Sequence, residues 1–308
     1  MTAVLSVALP VFAVIAAGFI AGRMKLASAD DSAALNRFVF RFAMPAALFG
    51  LMSGASGLKA EDGLIALAYG APALAVMFGA YFLARTMLRL DAPTAGAHAF
   101  ASTMGNAVFL GLPIALGLDG WGRPFVDLML VEGILVIGVG AALMAAPEKG
   151  PRRLDLAGVL TRPLKNPLVV AALAGFAVAS AGIALPGPAR SFFDILGRAA
   201  GPAALFSLGL FLAARRAAIL PYAPNIAAIA SFKMALLPAL SLALLHFLGV
   251  DDPHYRGALA LFTVVPTAVS AFIMASQYGR YVEQSAAAIA VTTALSLASI
   301  SAVLILFA

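Results

Sequence analysis

The sequence predicts an all-α polytopic membrane protein of ten transmembrane helices, built as two inverted five-helix repeats. The first observation is composition: 63% of the 308 residues are hydrophobic and only 11% are charged, against about 25% charged in an ordinary soluble domain. The second is spacing, because the charged residues form short clusters separated by apolar runs of about 20 residues, the length that crosses a hydrocarbon core. The third is an internal repeat. The lipid bilayer is therefore the predicted solvent.

Apolar runs bounded by charged residues or by Pro and Gly predict the helices one by one. The ranges are 3–22, 34–54, 63–88, 94–117, 123–145, 167–185, 190–213, 224–248, 255–278 and 284–307. No charged residue precedes the first run, and Arg23 and Lys25 follow it. A cleaved signal peptide has the opposite order, with its positive charge in front. The first run therefore predicts an uncleaved span whose N-terminus is outside.

The basic residues of alternate connections predict the topology, since Lys and Arg accumulate in cytoplasmic loops. One set of connections holds fourteen of them: Arg23, Lys25, Arg37, Arg41, Arg85, Arg89, Lys149, Arg152, Arg153, Arg162, Lys165, Arg215, Arg216 and Arg280. The other set holds five: Lys59, Arg123, Arg190, Arg198 and Arg256. This bias places the first set in the cytoplasm and both termini outside the plasma membrane. It also accounts for the net charge of +6 without a nucleic-acid partner.

The longest polar connection, 147–165, contains five basic residues and divides the spans five and five. It predicts an N-terminal repeat at 1–146, a cytoplasmic linker at 147–165 and a C-terminal repeat at 166–308. Each half contains an odd number of helices. The second half therefore enters the membrane from the opposite side, as in many secondary transporters.

The halves also share sequence. The segment RFAMPAALFGL, 41–51, recurs as RAAGPAALFSL, 198–208, with eight of eleven positions identical at an offset of 157. The same offset carries Gly18 onto Gly175. A single offset shared by two pairs of helices indicates an internal duplication.

The fourth helix of each half contains proline and small polar residues. Asn106 and Pro113 lie in the run GNAVFLGLPIALG, and Pro266 and Thr267 lie in FTVVPTAVSAF. A proline inside a helix removes a hydrogen bond and clashes with a preceding carbonyl, so it predicts breaks near mid-membrane at Pro113 and Pro266. The N-terminal ends of the resulting half-helices would favour an anionic group. The alternative is a packing kink without a binding role, since proline is common in membrane helices.

Glu132 and Lys233 are charged residues that lie deep inside predicted spans. Glu132 is about nine residues into the fifth helix, where ionisation without a partner is costly, so it is a candidate proton carrier or substrate-site group. Lys233 lies near the middle of the eighth helix and could neutralise Glu132 or an anionic substrate. Structural pairing of Glu132 and snorkelling of Lys233 toward an interface are the alternatives.

Several functions are excluded or disfavoured by what the sequence lacks. There is no cysteine, which excludes thiolate metal sites and cysteine nucleophiles. His98, His246 and His254 show no metal-ligand spacing, so neither a metal nor another cofactor is expected. No GxxxxGK[ST] string is present, which excludes an ATP-driven pump made of this chain alone. A carrier is therefore favoured over an enzyme.

Three segments resemble the auxin efflux carrier family: LPVFAVIAAGFIAGRMKL at 9–26, LNRFVFRFAMPAALF at 35–49 and GNAVFLGLPI at 105–114. The resemblance includes the ninth-helix proline, Pro266, and covers nearly the whole chain. Plant auxin carriers and bacterial permeases linked to malonate or malate belong to this family, and bile acid sodium symporters are more distantly similar. The resemblance implies a scaffold and a transport domain, with helices four and nine crossing at their prolines beside a bound carboxylate.

Asn106, Pro113 and Pro266 match the family's pattern by position. The substrate-binding candidates are Asn106, Gly111, Pro113, Pro266, Thr267 and Ser270, and the coupling candidates are Glu132 and Lys233. Sodium-coupled relatives have a carboxylate or glutamine on the ninth helix, whereas 259–276 has neither here. This difference argues against sodium coupling, and proton coupling through Glu132 is the other possibility.

The expected function is secondary active transport of small organic anions, mono- or dicarboxylates, across a bacterial inner membrane. Alternating access would come from rocking or sliding one bundle past another, as in an elevator. A sodium-coupled carrier similar to bile acid symporters, an anion channel and an intramembrane enzyme stay open as alternatives. The expected partners are a small carboxylate and the lipid bilayer, with a homodimer as an option.

The topology can be tested with single cysteines, because the chain has none of its own. Lys149→Cys lies in the predicted cytoplasmic linker and should be shielded from an impermeant thiol reagent in intact cells. Ala308→Cys at the outer C-terminus should be labelled under the same conditions. Labelling of the first variant without labelling of the second would reverse the orientation.

Overall fold

The computed structural model describes residues 2–54, 60–146, 166–214 and 220–307. Within these ranges the chain is helical and forms no β-strand, apart from one isolated bridge between Gly105 and Thr267. The predicted all-α fold is confirmed. The predicted linker, 147–165, lies outside the described residues.

Helix is present in each of the ten predicted ranges. The helices are α1 (Thr2–Arg23), α2 (29–53), α3 (Ala60–Thr86), α4a (Ala92–Ala101), α4b (107–116), α5 (Gly122–Met144), α6 (Pro167–Ser180), α7 (Gly187–Ala214), α8 (Ala223–Phe247), α9a (Pro253–Val264), α9b (Val269–Tyr278) and α10 (Val282–Phe307). Among the described residues, α5, α7, α8, α10 and 63–86 of α3 are long and apolar enough to cross a membrane. Residues 13–23 of α1 and the whole of α6 are apolar but shorter.

The helices pack as two groups. One group contains α1, α2, α6 and α7, where α1 packs along α7 and α6 packs along α2. The other contains α3, α4, α5, α8, α9 and α10, where α3 and α8 join the two broken helices. The first helix of each predicted half therefore packs against the second helix of the other half.

Two glycines allow the reciprocal pairs to approach closely. A Cβ on Gly18 of α1 would lie 3.1 Å from the Cα of Phe206 of α7, and one on Gly175 of α6 would lie 3.2 Å from the Cα of Phe49 of α2. Adding the sequence offset of 157 to Gly18 and Phe49 gives Gly175 and Phe206, so the two contacts are equivalent in the two halves. Small residues at such positions let membrane helices pack backbone to backbone.

Three short π-helical turns precede prolines inside the helices. Val39–Ala43, Ala107–Gly111 and Phe232–Leu236 each end two residues before a proline, at Pro45, Pro113 and Pro238. The residue after each turn bonds to a carbonyl five residues back instead of four. Proline removes the regular hydrogen bond and clashes with the preceding turn. The wider turn accommodates the ring while the chain stays helical.

This arrangement corrects the predicted break at Pro113. The fourth helix is interrupted between α4a and α4b, at 102–106, and Pro113 lies in the first residues of Leu112–Leu116. The helical backbone continues from this π turn past Pro113. The ninth helix is interrupted at 265–268, between α9a and α9b, and there the predicted Pro266 is part of the break.

Candidate functional site

The two helix breaks lie against each other and satisfy one another's backbone groups. The N–H of Asn106 donates to the carbonyl of Pro266 at 2.8 Å, and the N–H of Ala268 donates to the carbonyl of Met104 at 3.0 Å. These two bonds form the antiparallel bridge that pairs Gly105 with Thr267. Backbone polar groups inside a membrane need such partners, because lipid offers none.

Hydroxyl groups satisfy further backbone groups at the crossing. The Oγ1 of Thr267 donates to the carbonyl of Ala101 at 3.0 Å, and its N–H donates to the Oγ1 of Thr292 at 3.2 Å. The Oγ of Ser299 donates to the carbonyl of Val264 at 3.2 Å. Thr267 is fully buried, so its side chain locks the two breaks together and does not face an open space.

A buried pair of charges lies on one side of the crossing. The Oε1 of Glu132 accepts hydrogen bonds from the N–H of Gly105 at 2.9 Å and from the hydroxyl of Tyr69 at 3.0 Å. The Nζ of Lys233 donates to the carbonyl of Thr263 at 2.7 Å. Both charged side chains are buried, with exposed fractions of 3% and 1%.

Gly105 brings the two charges together. A Cβ at this position would lie 3.3 Å from the Nζ of Lys233, while the glycine N–H is bonded to Glu132. The ammonium group of Lys233 also lies against the last turn of α9a, since it bonds to the carbonyl of Thr263, and the helix dipole favours positive charge there. We refer to Glu132, Lys233, Tyr69 and the backbone groups of Gly105 and Thr263 as the charge clamp.

Both charges of the clamp lie in π turns. Glu132 is the first residue of Glu132–Val136, and Lys233 is the second residue of Phe232–Leu236. The turn in α5 is not followed by a proline, so the ring accommodation seen elsewhere does not explain it. Isolated π turns inside α-helices occur frequently at functional sites.

A cavity of about 690 Å³ opens between the two groups of helices. Its walls come from α2 and α7 on one side and from α5 and the crossing on the other. Asn106 and Ser270 contribute polar side chains at the crossing, and both are buried, with exposed fractions of 3% and 7%. The Oγ of Ser270 has no hydrogen-bond partner within the described part of the chain.

The cavity also meets a helix N-terminus. Val269 and Ser270, the first residues of α9b, line it, and no side chain caps this helix. The first N–H groups of a helix have no partners within it and carry partial positive charge. Together with an amide and an unpartnered hydroxyl, they form a site suited to a small anion.

The structure brings most of the predicted residues to the crossing, but not all of them to the cavity. Asn106 and Ser270 line the cavity, Pro266 and Thr267 hold the break, and Glu132 and Lys233 form the clamp. Gly111 packs against the ninth-helix break outside the cavity, since a Cβ there would lie 3.1 Å from the Cγ1 of Val265.

Sequence reasoning missed three contacts at the crossing. Tyr69 donates to Glu132, Thr292 accepts from Thr267, and the backbone of Gly105 occupies the space between the charges. A tyrosine near the middle of an apolar helix is a polar group that needs a buried partner, which is a signal for Tyr69. Thr292 gives no comparable signal, because threonine in a membrane helix commonly bonds to its own backbone.

Comparison with known proteins gives consistent matches along the chain. A family model described as a membrane transport protein matches residues 3–155 and 152–304. A protein of Rhizobium meliloti (strain 1021) named "Putative malonate transporter" is 29% identical over 313 aligned residues, which cover 99% of this chain and 96% of that protein. The "Uncharacterized transporter YfdV" of Escherichia coli (strain K12) is 24% identical over 307 aligned residues, which cover 92% of this chain and 91% of that protein.

The charge clamp predicts strong coupling between its two charged residues. Lys233→Met should lower the free energy of unfolding by about 3 to 5 kcal/mol, because Glu132 then stays buried without its counter-charge. Glu132→Gln should also destabilise, whereas the double variant should recover part of the loss. Thermal unfolding of the four purified proteins measures this cycle. Additive losses would show that the two residues act independently.

Proposed function

This chain belongs to the membrane transport protein family, and on that premise we propose that it is a secondary carrier which binds a small organic anion, a mono- or dicarboxylate, at the crossing of α4 and α9. One observation carries the proposal: two helix breaks lie back to back and present Asn106, Ser270 and a helix N-terminus to one cavity. The chain is a transporter by family and not an enzyme.

The chemistry of the cavity favours a carboxylate. The Asn106 amide and the Ser270 hydroxyl can donate hydrogen bonds, and the N-terminus of α9b adds partial positive charge. None of these groups brings a fixed charge that would need compensation when the site is empty. The relative from Rhizobium meliloti carries malonate in its name, and malonate is a small dicarboxylate.

Alternating access is the proposed mechanism. The cavity lies between the group formed by α1, α2, α6 and α7 and the group that contains the crossing. Movement of one group relative to the other, as in an elevator, would expose the anion to one side of the membrane at a time. A channel would instead need a continuous polar path across the membrane.

An inverted repeat of ten membrane spans is the architecture we propose for this movement. The reciprocal pairing of α1 with α7 and of α6 with α2 supports it, as do the Gly18 and Gly175 contacts related by one offset. The two segments matched by the family model meet at 152–155, within the proposed cytoplasmic linker. We place the protein in the bacterial inner membrane with both termini outside.

We further propose that Glu132 couples transport to protons. Its carboxylate is buried inside the moving group and holds the backbone of the α4 break through Gly105. Protonation would change the charge of the clamp during the cycle. A sodium site beside Glu132 is disfavoured, since the ammonium of Lys233 already supplies a positive charge there and donates to the carbonyl of Thr263.

The anion site is tested by two substitutions and one matched control. Asn106→Ala and Ser270→Ala should each weaken carboxylate binding by about 1 to 3 kcal/mol, the usual cost of removing one buried hydrogen-bonding partner. Ser296→Ala removes a buried hydroxyl of α10 that bonds its own helix and should leave affinity unchanged. Calorimetric titration of purified protein with propionate and malonate measures the effect. Parental affinity in both site variants would place the anion site elsewhere.

The coupling proposal is tested by Glu132→Gln. Gln mimics the protonated acid, so this variant should lose accumulation driven by a pH gradient while retaining exchange of labelled substrate across proteoliposome membranes. Asp127→Asn is the matched control, because Asp127 is a second buried carboxylate of α5 outside the clamp. Undiminished pH-driven accumulation in Glu132→Gln would remove Glu132 from the coupling mechanism.

A further inference from the structure

Three charged residues of α7 line the cavity on the wall opposite the crossing. They are Arg190, Asp194 and Arg198. Their spacing of four residues keeps them within an arc of about 80° on one helix face. No other Lys, Arg, Asp or Glu is found among the described residues that line the cavity. The charged face of α7 therefore supplies the fixed charge of the cavity.

The two arginines, Arg190 and Arg198, differ in whether they form an ion pair. Arg198 is paired with Asp194, with an Nη2 to Oδ2 distance of 2.6 Å. Arg190 is exposed and makes no ion pair or side-chain hydrogen bond with any described residue. Two arginines and one aspartate leave one net positive charge, which is located at Arg190.

This charge lies within a helix long and apolar enough to cross a membrane. Arg190 is three residues from the start of α7, about 4.5 Å along its axis, and therefore lies near one end of this helix. It lines the cavity together with Asp194 and Arg198. Charged side chains that face a cavity of a membrane protein mark the path of a substrate or ion.

We propose that Arg190 forms a second anion subsite in this cavity and thereby selects substrates with two anionic groups over substrates with one. The inference rests on the proposed function, because the first carboxylate binds at Asn106 and Ser270. The second carboxylate binds the guanidinium of Arg190, whose planar donors match carboxylate geometry. Asp194 limits the positive charge of the wall by neutralising Arg198.

The subsite gives opposite expectations for two neighbouring substitutions. Arg190→Gln removes the unpaired cation and should lower the affinity for a diacid. Asp194→Asn releases Arg198 from its ion pair and should raise the affinity for a diacid. Neither residue contributes to the crossing or the charge clamp, and both side chains are accessible, so the fold should tolerate both changes.

The test compares diacids with monoacids of the same carbon number. Calorimetric titration of purified protein uses malonate against propionate, succinate against butyrate, and glutarate against valerate. For the best pair, the parent protein should bind the diacid about tenfold more tightly, since a charge-assisted hydrogen bond contributes that much. Arg190→Gln should remove this preference and leave the monoacid affinity within about twofold.

Arg256→Gln is the matched control, because it removes the same charge at a position that does not line the cavity. It should keep the parental preference. Equal loss of monoacid and diacid binding in Arg190→Gln, or no preference in the parent, would overturn the second subsite and leave the proposed function standing. Failure of the parent to bind any of the six acids would overturn the proposed function itself.

Discussion

The structure depends on one constraint: backbone groups freed by a broken helix must find partners where lipid offers none. Here each break supplies partners for the other. Asn106 bonds to Pro266, and Ala268 bonds to Met104, so the two interruptions are stable only as a pair. This reciprocity explains why both halves of the chain carry a break in their fourth helix.

The charge clamp extends the same principle from the backbone to side chains. Glu132 accepts the N–H of Gly105, and Lys233 donates to the carbonyl of Thr263. Each charge thus satisfies a backbone group that helix geometry leaves open, and the two charges compensate each other in a medium where a lone charge is costly. By contrast, Asn106 and Ser270 leave polar side chains available to the cavity.

The sequence predicted the all-α fold and the general position of the crossing, because hydropathy and proline report directly on helices in lipid. It placed the first break wrongly, at Pro113. A proline removes one hydrogen bond, and a π turn can absorb that loss without interrupting the helix, so the residue alone does not locate a break. The actual break centres on Gly105, where a Cβ would lie 2.8 Å from the Cγ2 of Val265 and 3.3 Å from the Nζ of Lys233, so the position favours a residue without a side chain.

Contacts between distant residues were also beyond sequence reasoning. Glu132 and Lys233 were recognised as costly within the membrane, but their approach depends on how α5, α8 and the two breaks pack. The same holds for Tyr69, whose partner lies 63 residues along the chain. Arg190 and Arg198 contributed only to the topology count, since a cavity wall is a property of packed helices.

The reciprocal bonds at the crossing also limit how the proposed carrier can move. Separating the breaks would expose the N–H groups of Asn106 and Ala268 and two carbonyls to an apolar medium, at a cost of several kcal/mol for each unsatisfied group. In the proposed carrier, the crossing and its charge clamp would therefore travel as one body. The surface that can slide is the one between this body and the group of α1, α2, α6 and α7, where the cavity lies. Substrate bound at Asn106 and Ser270 would move with the body, while Arg190 stays on the opposite wall, so movement itself would change which anionic groups the cavity can hold.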